Sequence, residues 1–208
     1  AAFGQSSHKG TQLAIEELNA AGGLLGKQLE LITEDNRSTP GESATIAKKF
    51  VSRDKVVIMT KTHASTEKEM WADLDRFRKE IGTDVLDIVL LHCMMSADWP
   101  KQKAGAMAVL SEAKSKGIIR AHGVSCHDFG ALKAAAASDW VEVDLARLNP
   151  AGVIMDAPVE EILPVLADMK RKGKGIIGMK VLGAGRLRDR LDDALQYALA
   201  SPVLDCFT

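Results

Sequence analysis

Short apolar runs rich in β-branched residues alternate along the chain with longer amphipathic segments. In the longer segments apolar side chains recur three and four residues apart, as at Leu163, Leu166 and Met169, and this spacing predicts helices. The predicted strands are 28–34, 56–61, 85–92, 118–125, 141–149, 175–182 and 203–207. The predicted helices are 9–21, 41–52, 65–81, 101–116, 129–137, 159–171 and 187–199. The strand centres recur every ~29 residues, the length of a βα unit.

Repeated βα units predict a parallel sheet covered by helices. About seven strands are expected, and helix 9–21 precedes the first of them. The pattern fits a barrel-like sheet and an open, doubly wound sheet equally well. The open edges of such a sheet favour association with a second copy, unless residues 1–5 add a short closing strand. A homodimer through the strand edges is therefore one expectation.

Composition describes a globular chain with balanced charge. Its 208 residues carry 27 Lys and Arg against 28 Asp and Glu, and 46% of them are hydrophobic. A length below the roughly 250 residues of a complete (β/α)8 barrel favours a single α/β domain over residues 1–208. Nucleic-acid binders are usually basic, and no segment reaches the ~20 apolar residues of a membrane span. We therefore expect neither nucleic-acid nor membrane partners.

The three cysteines, Cys93, Cys126 and Cys206, are widely spaced and odd in number. This pattern predicts free thiols in a reducing compartment. Residues 1–10 lack the basic start and apolar run of a secretion signal. A cytoplasmic location is the expectation that follows.

From Glu67 onward the motifs of one enzyme family appear in order. They are LDRFRKEIGTD at 74–84, DIVLLH at 87–92, GIIRAHGVS at 117–125 and NP at 149–150. This part resembles the aldo-keto reductases over about two thirds of the chain. The resemblance implies a (β/α)8 barrel and NADP(H)-linked carbonyl chemistry.

The first 55 residues resemble a different family. The run LAIEELNAAGG at 13–23, followed by GK at 26–27 and EDN at 34–36, is similar to the first lobe of periplasmic binding proteins for branched-chain amino acids. The change falls near residues 54–61. We interpret the chain as a chimera, most simply an engineered one, with residues 1–55 from a binding protein and 56–208 from a reductase. The fold we expect is a barrel-like parallel sheet of about seven to eight strands, in which a flavodoxin-like fragment of the binding protein joins the reductase barrel.

The reductase resemblance implies a catalytic tyrosine, lysine, aspartate and histidine. Lys61 matches the lysine and His92 the histidine, whereas the tyrosine and aspartate belong to the part that has been replaced. The one tyrosine, Tyr197, lies in a C-terminal helical pattern, away from that position. Loss of a general acid typically costs ~10²–10⁴-fold in rate, so we expect at most a severely impaired reductase.

Cofactor residues are matched in part. Ser125 stands where the family contacts the nicotinamide amide, although Cys126 departs from its usual Ser-Asn pair. Leu182, Gly183, Gly185 and Arg186 resemble the pyrophosphate loop, in which glycine permits close backbone approach. The family's adenine-binding segment would follow Thr208, so tight NADP(H) binding is not expected.

Three function classes follow: a scaffold without evolved activity, a residual NADP(H)-dependent oxidoreductase, and a small-ligand module that binds amino acids. A further hypothesis is a zinc site, with ligands drawn from His92, Cys93, Cys126, His127 and Cys206. The compact Cys-x-x-Cys spacing of zinc sites is lacking. The plainer interpretation of Lys61 and His92 is a solvated lysine and a hydrogen-bonded histidine at the sheet rim.

Overall fold

A computed structural model describes residues 2–23, 28–37, 39–50 and 57–208. The chain separates into two compact units, residues 1–54 and 55–208. The expectation of one domain over the whole chain stays a prediction.

The first unit contains two helices, α1 (Ala2–Ala20) and α2 (Pro40–Lys49). The amide of Gly23 closes the end of α1 on the Leu18 carbonyl, with Gly22 and Gly23 both at positive φ. Helix α2 begins at Thr39, whose hydroxyl accepts a hydrogen bond from the Glu42 amide. In the described residues of this unit, α1 replaces the short strand expected at 1–5, and that expectation is wrong.

Residues 28–34, predicted as a strand, lie outside any sheet. Their connection to α1 runs through Asn19, whose side chain accepts from the Leu29 amide at 2.7 Å and donates to the Leu29 carbonyl at 2.9 Å. A β-rich pattern becomes a strand only when a neighbouring strand satisfies its backbone groups. Here the Asn19 side chain bonds to the backbone groups of Leu29, and no neighbouring strand pairs with the segment among the described residues. The prediction of a first strand at 28–34 is therefore wrong.

The second unit is a six-stranded parallel sheet with helices between the strands. The strands are β1 (Met59–Thr62), β2 (Leu86–Met94), β3 (Ile119–Cys126), β4 (Val143–Arg147), β5 (Gly175–Met179) and β6 (Cys206–Phe207). The helices are α3 (Glu67–Ile81), α4 (Trp99–Gln102), α5 (Ala104–Ser115), α6 (Phe129–Ala137), α7 (Val159–Arg171) and α8 (Leu191–Ala200). Two short 3-10 turns, Gly183–Gly185 and Arg188–Arg190, precede α8.

The strands pair in sequence order from β1 to β6, and every pair is parallel. A doubly wound sheet reverses its order at a switch point, so the sequential order is that of a barrel wall. The sheet curls as a half-barrel of six strands in the described residues, fewer than the seven to eight expected. The α/β class with a parallel sheet is confirmed.

The four inner strands, β2 to β5, bury residues on both faces, since successive side chains along a strand alternate between them. On the helix-covered face Val89, Leu91 and Val124 join the large core. A second, smaller apolar cluster lies on the other, concave face and consists of Leu90, Val143, Leu145, Ile177 and Met179. Lys61 is in register with Leu90 and therefore points to the concave side.

Candidate functional site

Polar and charged side chains collect where the parallel strands end. Lys61 is the last residue but one of β1, and His92 lies near the end of β2. Ser125 lies at the end of β3 and Arg147 at the end of β4. Carboxyl ends of parallel strands are the usual place for functional groups in barrel-type sheets. We call this group, together with His63, His127, Asp156 and Lys180, the strand-end cluster.

Three imidazoles line up in the cluster. The ring of His92 lies 4.8 Å from that of His63 and 5.6 Å from that of His127, both in edge-to-face arrangements. Burial and the charges of Lys61 and His63 lower the pKa of His92. Nδ1 of His92 is buried and has no hydrogen-bond partner among the described protein atoms. At neutral pH His92 is therefore an uncharged imidazole.

His127 is held by contacts on both ring nitrogens. Nε2 lies 3.3 Å from the hydroxyl of Ser125, and Nδ1 is bonded to Nη2 of Arg147. Burial, and then the charges of Arg147, His92, Lys61 and Lys180, lower the pKa of His127 to about 4. The ring is therefore neutral, and it lies within the field of three permanent cations.

Arg147 is anchored by a buried carboxylate. Its Nη1 lies 3.2 Å from Asp156, whose side chain is 2% exposed. Burial raises the pKa of Asp156 to about 6, with Arg147 opposing the rise. Sequence reasoning missed Arg147, Asp156 and His63, although an arginine that ends an otherwise apolar strand was a usable signal.

The structure places the expected cofactor residues in different environments. Ser125 is fully buried and bonded to His127. In the loop after β5 the amides of Gly183, Gly185 and Arg186 already bond to carbonyls of the same turn, those of Lys180, Leu182 and Gly183. A side chain at Gly183 would press on Val153 and Leu187, so packing explains that glycine. These bonded amides do not fit a backbone cradle for pyrophosphate, although the exposed Arg186 side chain is available to an anion.

Of the proposed zinc ligands, His92 and His127 are neighbours, but the cysteines do not complete a site with them. Cys126 is buried on the helix-covered face, where burial raises the pKa of its thiol well above the usual value. Within the described residues no group of three or more His, Cys, Asp or Glu side chains is arranged to hold a metal ion. Tyr197 lies in α8 and packs against the large core.

Comparison with known proteins assigns the first half of the chain. The family model for periplasmic binding proteins matches residues 1–116, more than half of the 208. The chain belongs to the periplasmic binding protein family. An amino acid binding protein of Pseudomonas aeruginosa is 33% identical over 57 residues, which are 27% of this chain and 15% of that protein. The Leu/Ile/Val-binding protein homolog 2 of Brucella abortus is 39% identical over 51 residues, 24% of this chain and 14% of that protein.

The fold resembles a second family. An aldo-keto reductase from Bacillus halodurans, in its holo form, superposes with a TM-score of 0.62 at 16% identity over 81% of this chain and 67% of its own. An aldo-keto reductase from a Medee basin deep-sea metagenome library gives 0.60 at 13% identity over 81% and 68%. At identities this low, the superpositions show the fold alone. A periplasmic-binding-protein sequence and an aldo-keto-reductase fold therefore occur in one chain, as the sequence predicted.

The structure also bears on membrane association. No helix among the described residues is long and apolar enough to cross a membrane. The expectations about nucleic acid, the homodimer and cytoplasmic location stay predictions.

Proposed function

We propose that the chain is an engineered hybrid of the two families that acts as a folded scaffold and has no evolved catalytic activity. The observation that carries the proposal is the position of its one phenol. Tyr197 packs on the outer core from α8, while Lys61 and His92 lie in the strand-end cluster. A carbonyl compound bound at this cluster would therefore lack a tyrosine hydroxyl to protonate it.

The division of the chain supports a hybrid origin. The two binding proteins match over 57 and 51 residues, and the first compact unit ends at residue 54, whereas the family model extends further, to residue 116. The chain spans about one seventh of those binding proteins, so their ligand site is represented by a small part of one lobe. Amino-acid binding is therefore a weaker candidate than the scaffold.

A residual reductase is the second candidate, because Lys61 pairs in register with Leu90, two residues before His92 on the neighbouring strand, and its charge contributes to lowering the pKa of His92. Both side chains are the residues that the family resemblance marks as catalytic. Their proximity is a partial site that lacks its proton donor. NADP(H) would meet the exposed Arg186 but not free loop amides, so we expect weak binding at most.

The test measures NADPH binding and aldehyde reduction by the full chain. NADPH is titrated while thermal melting and the fluorescence of Trp71, Trp99 and Trp140 are followed. Aldehyde-dependent NADPH oxidation is then compared among the parent, Lys61→Met, His92→Ala and Tyr197→Phe. The scaffold proposal expects no saturable shift and equal background rates in all four proteins.

Two results would overturn it. Saturable NADPH binding with a turnover that Lys61→Met or His92→Ala abolishes would establish the residual reductase. A rise in melting temperature with leucine, isoleucine or valine would establish the binding module.

A further inference from the structure

The strand-end cluster holds more positive than negative charge. Lys61, Arg147 and Lys180 are its permanent cations, and among the described residues Asp156 is the one carboxylate that forms an ion pair with any of them. Asp156 is committed to Arg147. In the part of the chain that the structure describes, neither Lys61 nor Lys180 has an ion-pair partner within 4.0 Å or a side-chain hydrogen bond. Two positive charges are therefore left uncompensated.

The position of these cations follows from the sheet. Lys61 is at the end of β1 on the concave side, and Lys180 directly follows β5, the neighbour of the strand that carries Arg147. Both lysines are exposed, so their ammonium groups are accessible to a solute. The charges of all three cations act on His127, whose ring is bonded to Arg147 and lies 5.6 Å from that of His92.

The Ser125–His127 contact is not a nucleophile–base pair. Arg147 can only donate hydrogen bonds, so Nδ1 of the neutral His127 ring is the acceptor and its proton resides on Nε2. A ring with that tautomer donates to Ser125 and cannot take the hydroxyl proton. Apart from Asp156, which pairs with Arg147, and Ser125, which accepts from His127, the cluster is thus rich in donors, and Arg147 has a buried Nε without an acceptor among the described atoms. Donors with excess positive charge suit an oxyanion.

We propose that this cluster binds a small oxyanion of the class of inorganic phosphate beside His127, with Lys61 and Lys180 as its charged donors. This oxyanion site differs from a residual reductase site because it needs neither a tyrosine hydroxyl nor a bound dinucleotide. It also needs none of the loop amides after β5.

The first test is a histidine titration by NMR with and without inorganic phosphate, at constant ionic strength set with chloride. Bound phosphate offsets the cations, so the pKa of His127 is expected to rise by about one unit or more. His122 is the internal control, since it lies on the helix-covered face stacked on Trp140. Its titration should not change.

The second test compares phosphate affinity among three variants. Lys61→Gln and Lys180→Gln should each weaken binding about fivefold, the effect of one solvated charge pair worth about 1 kcal/mol. Lys79→Gln, on exposed α3, removes the same charge elsewhere and should leave affinity unchanged. All three are surface positions, so the fold is expected to persist, with thermal melting as the check.

The proposal fails if phosphate leaves the His127 titration where chloride leaves it. It also fails if His122 shifts equally, or if Lys79→Gln weakens binding as much as the two strand-end variants. Either result would mean a general salt effect.

Discussion

The guanidinium of Arg147 donates a hydrogen bond to Nδ1 of His127 and, through its other terminal nitrogen, contacts Asp156 at 3.2 Å. One side chain thus fixes the tautomer of an imidazole and compensates a buried carboxylate. The contact depends on the chain after β4 folding back to place Asp156 against the strand end. Arg147 is therefore the organising residue of the cluster.

Replacing Arg147 by methionine should raise the pKa of His127 from about 4. Burial is the larger cause of the lowered value, and the Arg147 charge is the next, so the rise should be partial. Nδ1 also loses its donor, and the ring should populate both neutral tautomers. Both effects are measured by 15N and 1H NMR of the imidazole.

The matched control is Arg147→Lys, which keeps the positive charge and loses the planar fork. It should retain most of the depression in the pKa of His127 while weakening the contact with Asp156. An unchanged His127 titration in Arg147→Met would contradict the assignment.

Gly123 in β3 is expected to tolerate no side chain. A Cβ built there would meet the backbone carbonyl of Val143 on the neighbouring strand. Because that obstacle is main chain within the sheet, Gly123→Ala should lower the free energy of unfolding by roughly 3 kcal/mol. Gly175→Ala in β5, where the added atom would make ordinary contacts of 3.6 Å or more, should cost much less. Urea unfolding of both variants checks the difference, and equal losses would disprove it.

Periodicity predicted the strands and helices of the second unit because the spacing of apolar residues within each segment is enough to identify it as a strand or a helix. Six predicted strands and the helices between them appear with ends shifted by a few residues, and α6 and α7 have the predicted ends. The expected strand 28–34 failed because a strand requires a partner that periodicity does not supply. The helix predicted at 101–116 divides into α4 and α5 around Lys103, whose ammonium bonds to the carbonyls of His63 and Ala64.

The candidate site was harder to predict. Lys61, His92 and Ser125 were found at strand ends because a motif marked them. Asp156 was missed because its contact with Arg147 depends on the path of the chain between β4 and α7, which leaves no periodic signal. Local spacing therefore predicted where the strands end, but it did not predict which charged side chains would meet at those ends.

Thr66 begins α3 with a complete capping box. Its hydroxyl accepts from the Glu69 amide at 3.3 Å, and the Glu69 carboxylate accepts from the Thr66 amide at 3.0 Å. Thr66→Ala should lower the free energy of unfolding by ~1 kcal/mol. Thr66→Ser keeps the hydroxyl and is expected to retain most of the stability in the same urea experiment. Equal losses in the two variants would show that the methyl group, not the cap, is responsible.

Asp144 is a fully buried carboxyl on the helix-covered face of β4. Neither of its oxygens has a partner of normal hydrogen-bond geometry among the described atoms, and the weakly donating thiol of Cys126 is the nearby polar group. Burial is the main cause that raises the pKa of Asp144 to about 7; Cys126 and Lys174 oppose the rise, and Asp156 adds to it. The Lys174 ammonium is bonded instead to the carbonyls of Ser138 and Val141.

The sign of the resulting pH dependence follows from proton uptake. Between pH 4 and 7 the folded protein holds a proton on Asp144 that the unfolded chain, with an ordinary carboxyl, has released. The contribution of Asp144 to stability is therefore greatest at the acidic end of this window and falls as pH rises through 7, by up to about 4 kcal/mol for a shift of about three units. Asp144→Asn, an uncharged isostere, should remove most of this fall and be more stable than the parent at pH 8.

The comparison is made by urea unfolding at pH 5 and pH 8. Asp189→Asn is the control, because it removes a carboxylate that is 88% exposed and should leave the slope with pH unchanged. Asp156, whose pKa is raised to about 6, contributes a smaller fall in the same direction that persists in Asp144→Asn. His127, whose pKa is lowered to about 4, contributes with the opposite sign in both proteins, so the readout is the difference in stability between the parent and Asp144→Asn at each pH. A difference that stays the same from pH 5 to pH 8 would show that Asp144 is charged in the folded state, contrary to its burial.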